Sequence, residues 1–359
     1  MTIFWVTIAC TYLLALFANK IPSRFWVGSR FLLYPNVWMS GAVLLILVLV
    51  AGLRWGIGDT PTYTDEFNTL GTHISDIRNG SDPGFSVVEL LLKHITNDPQ
   101  ILIFTTALIT SALIIFALYQ YAVLFELAVF LYIATGAYII SMNGIRQYLA
   151  AAIIFVATRW LLAGNWWLYF LAVLLAASIH STAIVFLPLY FLLRSPAWSW
   201  RTLLVMLGGI LFFTLFQNSL PLLSSVLGEA NITHFSTDLQ VSHGANIIRA
   251  FVAAVPVVMA FIGRRRLRQV WPQSDIIVNC SIFNFLFMLV AMKSWMFARF
   301  CIYFDLYNLI LFPLLIKELF AEQIRPFIYG ACMVCYFGYF YYQWCIAEHL
   351  YYMSNYLIH

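Results

Sequence analysis

A few polar residues interrupt long apolar runs, and their types suit anion binding and acid–base chemistry. Arg54 precedes Gly56-Ile57-Gly58-Asp59, and Asn143, Arg146 and Gln147 lie within Ser141-Met142-Asn143-Gly144-Ile145-Arg146-Gln147. His180-Ser181 separates two short apolar runs, His243, Asn246 and Arg249 precede another, and Lys293 and Arg299 flank a third. Asn143-x-Ile-Arg146 and Asn246-x-Ile-Arg249 share a spacing that puts asparagine and arginine on one helix face. At a helix start, free backbone N–H groups and positive partial charge favour phosphate. The arginine fork also grips phosphate oxygens in pairs, which lysine does not. Taken singly, each arginine reads as a side chain snorkelling to lipid headgroups. Taken together, Arg54, Arg146, Arg249 and Arg299 predict an anion site with Asn143, Gln147 and Asn246 beside it.

His180 is the first candidate for a general base, because an unperturbed imidazole titrates at about 6.5. Asp59 competes with it: a carboxylate beside Arg54 could bind or deprotonate a sugar hydroxyl. Asp305 and Glu126 fall inside apolar runs and read as helix-packing acids, although an acid within a membrane is always a functional suspect. There is no P-loop, and Gly56-Ile57-Gly58 lacks the strand–turn–helix setting of a nucleotide fingerprint. The six cysteines show no zinc-ligand spacing with histidine, and neither metal nor cofactor is expected.

These residues need a scaffold, and composition says which. Of 359 residues, 63% are hydrophobic and only 9% charged, with a mean hydropathy of +0.87. A soluble domain carries about 25% charged residues, so this chain lacks the polar surface to coat a soluble core. That excludes a cytosolic enzyme, a nucleic-acid reader and a disordered chain. Spans are expected near 1–18, 37–54, 100–118, 121–140, 146–163, 166–179, 181–193, 201–217, 245–262, 275–292, 299–317 and 326–343, about twelve transmembrane helices in one all-α polytopic domain over 1–359. Lys20 follows the first run rather than preceding it, so that run reads as a span and not a cleavable signal.

Charge orients the array. If every span crosses, twelve of the nineteen lysines and arginines fall on one side, including Arg264, Arg265, Arg266 and Arg268, and seven on the other. The positive-inside rule makes the richer side cytoplasmic, with both termini outside. All the out-of-place polar residues then share the outer side. Two long outer loops result, 55–99 and 218–244. The first holds Asp59, Asp65, Glu66, Asp76, Asp82, Glu89 and Asp98. Its Ser86-x-x-Glu89 and the stripe Val88, Leu91, Leu92, Ile95 predict a capping box opening an amphipathic helix on the membrane face.

At these residues the sequence resembles the EpsG family of Wzy-type polysaccharide polymerases. The resemblance rests on LRWGIGDTPTY (53–63), DPGFSVVELLLKHITND (82–98), SMNGIRQYLAAAI (141–153), ASIHSTAIVFLP (177–188) and ARFCIYFDLYNLILFP (298–313). One departure is the insertion Thr60-Pro61-Thr62 between Asp59 and Tyr63. The resemblance implies a GT-C-like, membrane-embedded inverting glycosyltransferase of the bacterial inner membrane, its site facing the periplasm. It implies a growing glycan on undecaprenyl diphosphate as donor and a repeat unit on the same lipid as acceptor. Tyr63 joins the arginines, Asn143, Gln147 and Asn246 in substrate contact, His180 or Asp59 acts on the acceptor hydroxyl, and a chain-length regulator is a further partner.

Three other readings compete. An O-antigen ligase-like transferase would deliver the glycan to a different acceptor. A flippase or transporter of lipid-linked glycan should carry polar residues through the midplane and repeated halves, whereas here the polar cluster sits on one side. A membrane acyltransferase would need its histidine near a cytoplasmic acyl donor. Cysteine-accessibility labelling is expected to place 264–268 inside and 60–95 outside; outside labelling of 264–268 would overturn the orientation.

Overall fold

The computed structural model describes residues 1–27, 30–72, 82–227 and 244–354, with 25–27, 30–32 and 216–227 described by backbone alone. Asp76 and His243 lie outside the described residues. The fold is nearly all α. In chain order come α1 (Thr2–Lys20), β1 (Ser23–Val27), β2 (Arg30–Tyr34), α2 (Val37–Gly52), α3 (Thr60–Thr69), α4 (Pro83–Ile95), α5 (Gln100–Tyr121), α6 (Phe125–Ala134) and α7 (Ala137–Asn143). Then follow α8 (Ile145–Ala163), α9 (Trp166–Ile179), a 3-10 turn (Ser181–Val185), α10 (Phe186–Leu193), α11 (Trp200–Leu227), α12 (Ile247–Ile262), α13 (Arg264–Val270), α14 (Ser274–Ala291), α15 (Ala298–Leu319) and α16 (Arg325–Phe340). The β1–β2 hairpin pairs antiparallel from Ser23 with Tyr34 to Val27 with Arg30, the exception to an all-α expectation.

Five of these helical stretches are long and apolar enough to cross a membrane: α1, α5, α8, α14 and α15 with the turn before it. The number rises to seven if the bent pairs α6–α7 and α12–α13 each count as one span. Shorter apolar helices include α2, α9 and the stretch Ser181–Leu193. The α6–α7 pair bends by 51° at Thr135-Gly136, inside the stretch expected as one span over 121–140. Gly136 has a φ of +91°, and a Cβ there would lie 2.2 Å from the Trp344 ring, so both handedness and space require glycine. The break between α9 and α10 falls at His180, whose backbone is extended.

The chain packs as two compact units, residues 1–187 with 312–359 and residues 188–311. In the first, α1 packs on α2 and α6, α2 on α5, α5 on α8, and α8 on α9. In the second, α12 and α11 pack against α14, with Ala250 and Ala253 meeting Met288, Ala291 and Cys301.

The last turn of α2 shows how the first unit is tied together. A helix leaves its final carbonyls without intrahelical partners, and here each finds one. Leu53 N–H donates to Leu49 O at 3.0 Å, Tyr352 OH to Val50 O at 2.8 Å, and Gln100 Nε2 to Gly52 O at 2.5 Å. Arg54 Nη1 takes Ala51 O, and Ser354 OH donates to Leu53 O at 2.5 Å. Arg54 is 1% exposed; its Nη2 donates to Met142 O at 2.6 Å and its Nε to Thr60 Oγ1 at 3.2 Å. The sequence reading placed Arg54 in substrate contact. The structure buries it and sets three of its N–H donors on protein oxygens, two carbonyls and a hydroxyl, partners that a desolvated cation requires.

Hydrogen bonds to a charged group contribute about 1.5–3 kcal/mol each. Arg54→Ala should therefore lower the detergent-solubilised melting temperature sharply, and Arg54→Lys should not restore it, because an ammonium cannot reach three divergent acceptors. Tyr352→Phe should cost about 1 kcal/mol. An unchanged melt for Arg54→Ala would return this arginine to ligand duty.

Candidate functional site

The site of the first unit begins at Asp82-Pro83-Gly84. Proline suits the first position of a helix, where its missing N–H is not needed, so α4 starts at Pro83 with Asp82 in the cap position. The expected capping box at Ser86 and Glu89 does not form. The helix opens four residues earlier, and Ser86 Oγ donates back to Asp82 O at 3.4 Å. The buried face of α4 includes Phe85, Glu89 and Leu92, while Leu91 and Ile95 of the expected stripe are exposed.

Asp82 caps nothing with its side chain, because that carboxylate is used elsewhere. Its Oδ2 lies 3.1 Å from His180 Nδ1, and its Oδ1 accepts the Ser181 N–H at 2.9 Å. The break between α9 and α10 supplies both partners. Gly84 permits the approach: a Cβ there would lie 2.4 Å from Ser178 Oγ and 2.8 Å from Ser178 O. Burial works to raise the Asp82 pKa, but the hydrogen bonds from His180 and the Ser181 amide and the Arg146 charge outweigh it and hold the group below its ordinary value.

Arg146, on the first turn of α8, joins this cluster. It is ion-paired with Glu66 of α3 and its Nη1 lies 3.9 Å from Asp82 Oδ2. Its guanidinium carbon stands 5.1 Å from the Tyr63 ring centroid and 5.0 Å from that of Phe85, a cation–π cradle that holds the fork in place. Arg146 remains about a quarter exposed, at 27%. His180 is similarly accessible, at 21%. The inserted Thr60-Pro61-Thr62 forms the first turn of α3, which carries Tyr63 and Glu66.

Asp59 and Asn143 form a second contact. Asn143 Oδ1 accepts the Asp59 N–H at 2.7 Å, and both residues are exposed. Gly58 has a φ of +52°, and a Cβ on it would fall 2.1 Å from Asn143 Oδ1. Gln147 is buried in α8.

In the second unit, Asn246 caps α12, its Oδ1 accepting the Ile248 N–H at 3.0 Å. The two Asn-x-Ile-Arg motifs are therefore not equivalent: Asn143 ends α7 ahead of the Gly144 break, whereas Asn246 opens its helix. Ala245 N–H donates to Ala291 O at 2.8 Å, locking the start of α12 to the end of α14. The Asp305 carboxylate lies within reach of the Arg249 charge and is 3.5 Å from Asn308 Nδ2. The Arg299 guanidinium lies over Trp295 at 4.4 Å.

Sequence reasoning listed Glu66 and Asp82 only as loop acids. Asp82 had one local signal, its place before Pro83 at a helix start. Glu66 had none, since its partner is 80 residues away.

The model of the EpsG family matches residues 37–358, nearly the whole chain. No curated protein and no solved structure matches it.

A carboxylate held below its ordinary pKa stays charged until the pH falls beneath the usual aspartate value of about 3.9. The stability from the His180–Asp82–Ser181 contact is thus present above that value and lost on acidification below it. Infrared difference spectra of wild type against Asp82→Asn should show the carboxylate protonating below pH 3.9 or so; titration at or above that value would contradict the geometry.

Proposed function

The chain belongs to the EpsG family, a Wzy-like polysaccharide polymerase family, and from that premise we propose that it joins lipid-linked oligosaccharide repeats by inverting glycosyl transfer. The observation that carries the chemistry is the Asp82 carboxylate seated between His180 Nδ1 and the Ser181 amide. With Nδ1–H donating to Asp82, the other ring nitrogen Nε2 keeps its lone pair and can accept a proton. The acceptor hydroxyl gives its proton to Nε2 as its oxygen attacks the anomeric carbon. The bond from that carbon to the diphosphate oxygen breaks, and the bonding pair leaves with the diphosphate. Asp82 fixes the ring and stabilises the imidazolium that forms.

Arg146 is the proposed ligand of the leaving diphosphate. It is accessible, held against the rings of Tyr63 and Phe85, and presents a fork suited to paired phosphate oxygens. Entry of the diphosphate would exchange Glu66 for a stronger anion. Arg249 and Arg299 are proposed as further phosphate ligands, and Asn143, Gln147 and Asn246 as polar groups of substrate binding. Asp59 is assigned an acceptor-orienting role, because its carboxylate is exposed and its backbone is fixed by Asn143.

The proposed setting is the bacterial inner membrane with the site facing the periplasm. About twelve crossings in a GT-C-like arrangement belong to the same proposal; five to seven helical stretches among the described residues are long and apolar enough to cross. Undecaprenyl diphosphate carries both donor and acceptor in this reading, with a chain-length regulator as partner and no nucleic acid.

Turnover of purified lipid-linked repeat by the reconstituted chain tests the proposal. Removing a general base costs about 10²–10⁴-fold in rate, so His180→Ala should leave trace polymer and accumulate single repeats. Asp82→Asn should lower kcat with less effect on acceptor KM, and Arg146→Lys should impair turnover despite keeping the charge. Near-normal kcat in His180→Ala would remove it from the chemistry.

A further inference from the structure

The end of the second unit formed by the 195–200 segment and α13 has features the glycosyl-transfer reading does not use. Residues 194–201 and 261–275 carry six arginines against a single acid, Asp275. An arginine excess at a loop is expected of any polytopic chain, but here the side chains are organised. Arg268 binds Asp275, with Nε 3.0 Å from Oδ2, and donates from Nη2 to Ala197 O at 2.7 Å, so α13 is fastened to the 195–200 segment. Trp198 packs edge-on against Phe261 at 5.0 Å across the same seam. Arg264 and Arg201 lie over the rings of Phe261 and Trp200, at 4.5 and 5.7 Å.

The level of this seam follows from the helices that meet there. α12 and α13 bend by 75° at Gly263, and α14, long and apolar enough to cross a membrane, begins at Ser274. A short basic helix turned sharply from one apolar helix and followed by another belongs at headgroup height, lying along the surface. Its borders agree: Ile262 is 73% exposed and Trp200 67%, large apolar groups where acyl chains begin. Leu267 alone of the α13 side chains is buried, and Arg265 and Arg266 are exposed.

We propose that this surface is a binding site for anionic phospholipid headgroups. Guanidiniums resting on aromatic faces are pre-organised to hold a phosphodiester by paired hydrogen bonds. The apolar border receives the acyl chains of the same lipid. The site is independent of the His180–Asp82 chemistry and of the glycosyl-transfer reading.

Wild-type full-length chain, exchanged into mixed micelles of phosphatidylglycerol and phosphatidylcholine with matched acyl chains, is examined by native mass spectrometry. A clear preference for phosphatidylglycerol is expected, and it should decline as ionic strength rises. Each arginine near an anionic surface contributes about fivefold, so combining Arg264→Gln, Arg265→Gln and Arg266→Gln should cut the preference by about tenfold or more. The matching triple lysine variant keeps the charge and should retain an intermediate preference. Equal retention of both lipids by wild type, or a preference indifferent to salt, overturns the proposal even if the glutamine variant fails to fold. A glutamine variant with wild-type preference overturns it as well. Loss of polymer yield in cells by that variant, with no lipid preference in wild type, would point instead to an acidic protein partner and equally overturn it.

Discussion

A single buried guanidinium organises the first unit. Arg54 cannot stay charged in an apolar interior unless its donors are satisfied, and the groups that satisfy it come from three segments: Ala51 at the end of α2, Met142 at the end of α7, and Thr60 at the start of α3. Hydrogen bonds to a charge are short-ranged and directional, so this cation fixes where two helices end and where a third begins. The α2 carbonyls that it does not reach are taken by Gln100, Tyr352 and Ser354. The site residues hang from this knot. α3 leaves it carrying Tyr63 and Glu66, and α8 follows α7 carrying Arg146.

The cluster above the knot balances charge in a way that suits a diphosphate. Arg146 faces two carboxylates, Glu66 and Asp82, but Asp82 is already committed to His180 and the Ser181 amide. Asp82 thus links the proton-accepting and anion-binding halves of the arrangement. The aromatic pair Tyr63 and Phe85 restricts the fork without using its donors, which leaves hydrogen-bonding capacity for a ligand.

What the sequence revealed and what it hid divide by the range of the interaction. Apolar length located the helices, since hydropathy is a local property, and α9 and α10 part at His180, where two short apolar runs meet. Asn246 lies at a helix start, as its place before an apolar run implied, and its side chain caps that helix through a partner two residues away. The identical motif at Asn143 is placed differently, because a glycine break makes it a helix end whose side chain accepts from Asp59, 84 residues distant. Ser86-x-x-Glu89 misled, because Pro83 opens the helix first. Arg54 read as a ligand residue because an arginine at the edge of an apolar run looks the same from sequence whether it faces phosphate or three protein oxygens. Asp82 became a site residue only when α4 and α9 were brought together.

The far end of the chain completes the last turn of α2, and this has a consequence for biogenesis. Tyr352 and Ser354 are 302 and 301 residues from the carbonyls they close. At about 5–20 residues per second, synthesis leaves those carbonyls waiting for roughly 15–60 s after α2 is made. The nascent helix end must meanwhile rely on water or headgroups for its hydrogen bonds. A chain arrested before Tyr352 would carry every residue of the His180 cluster while the Val50 and Leu53 carbonyls beneath Arg54 still lacked their protein donors.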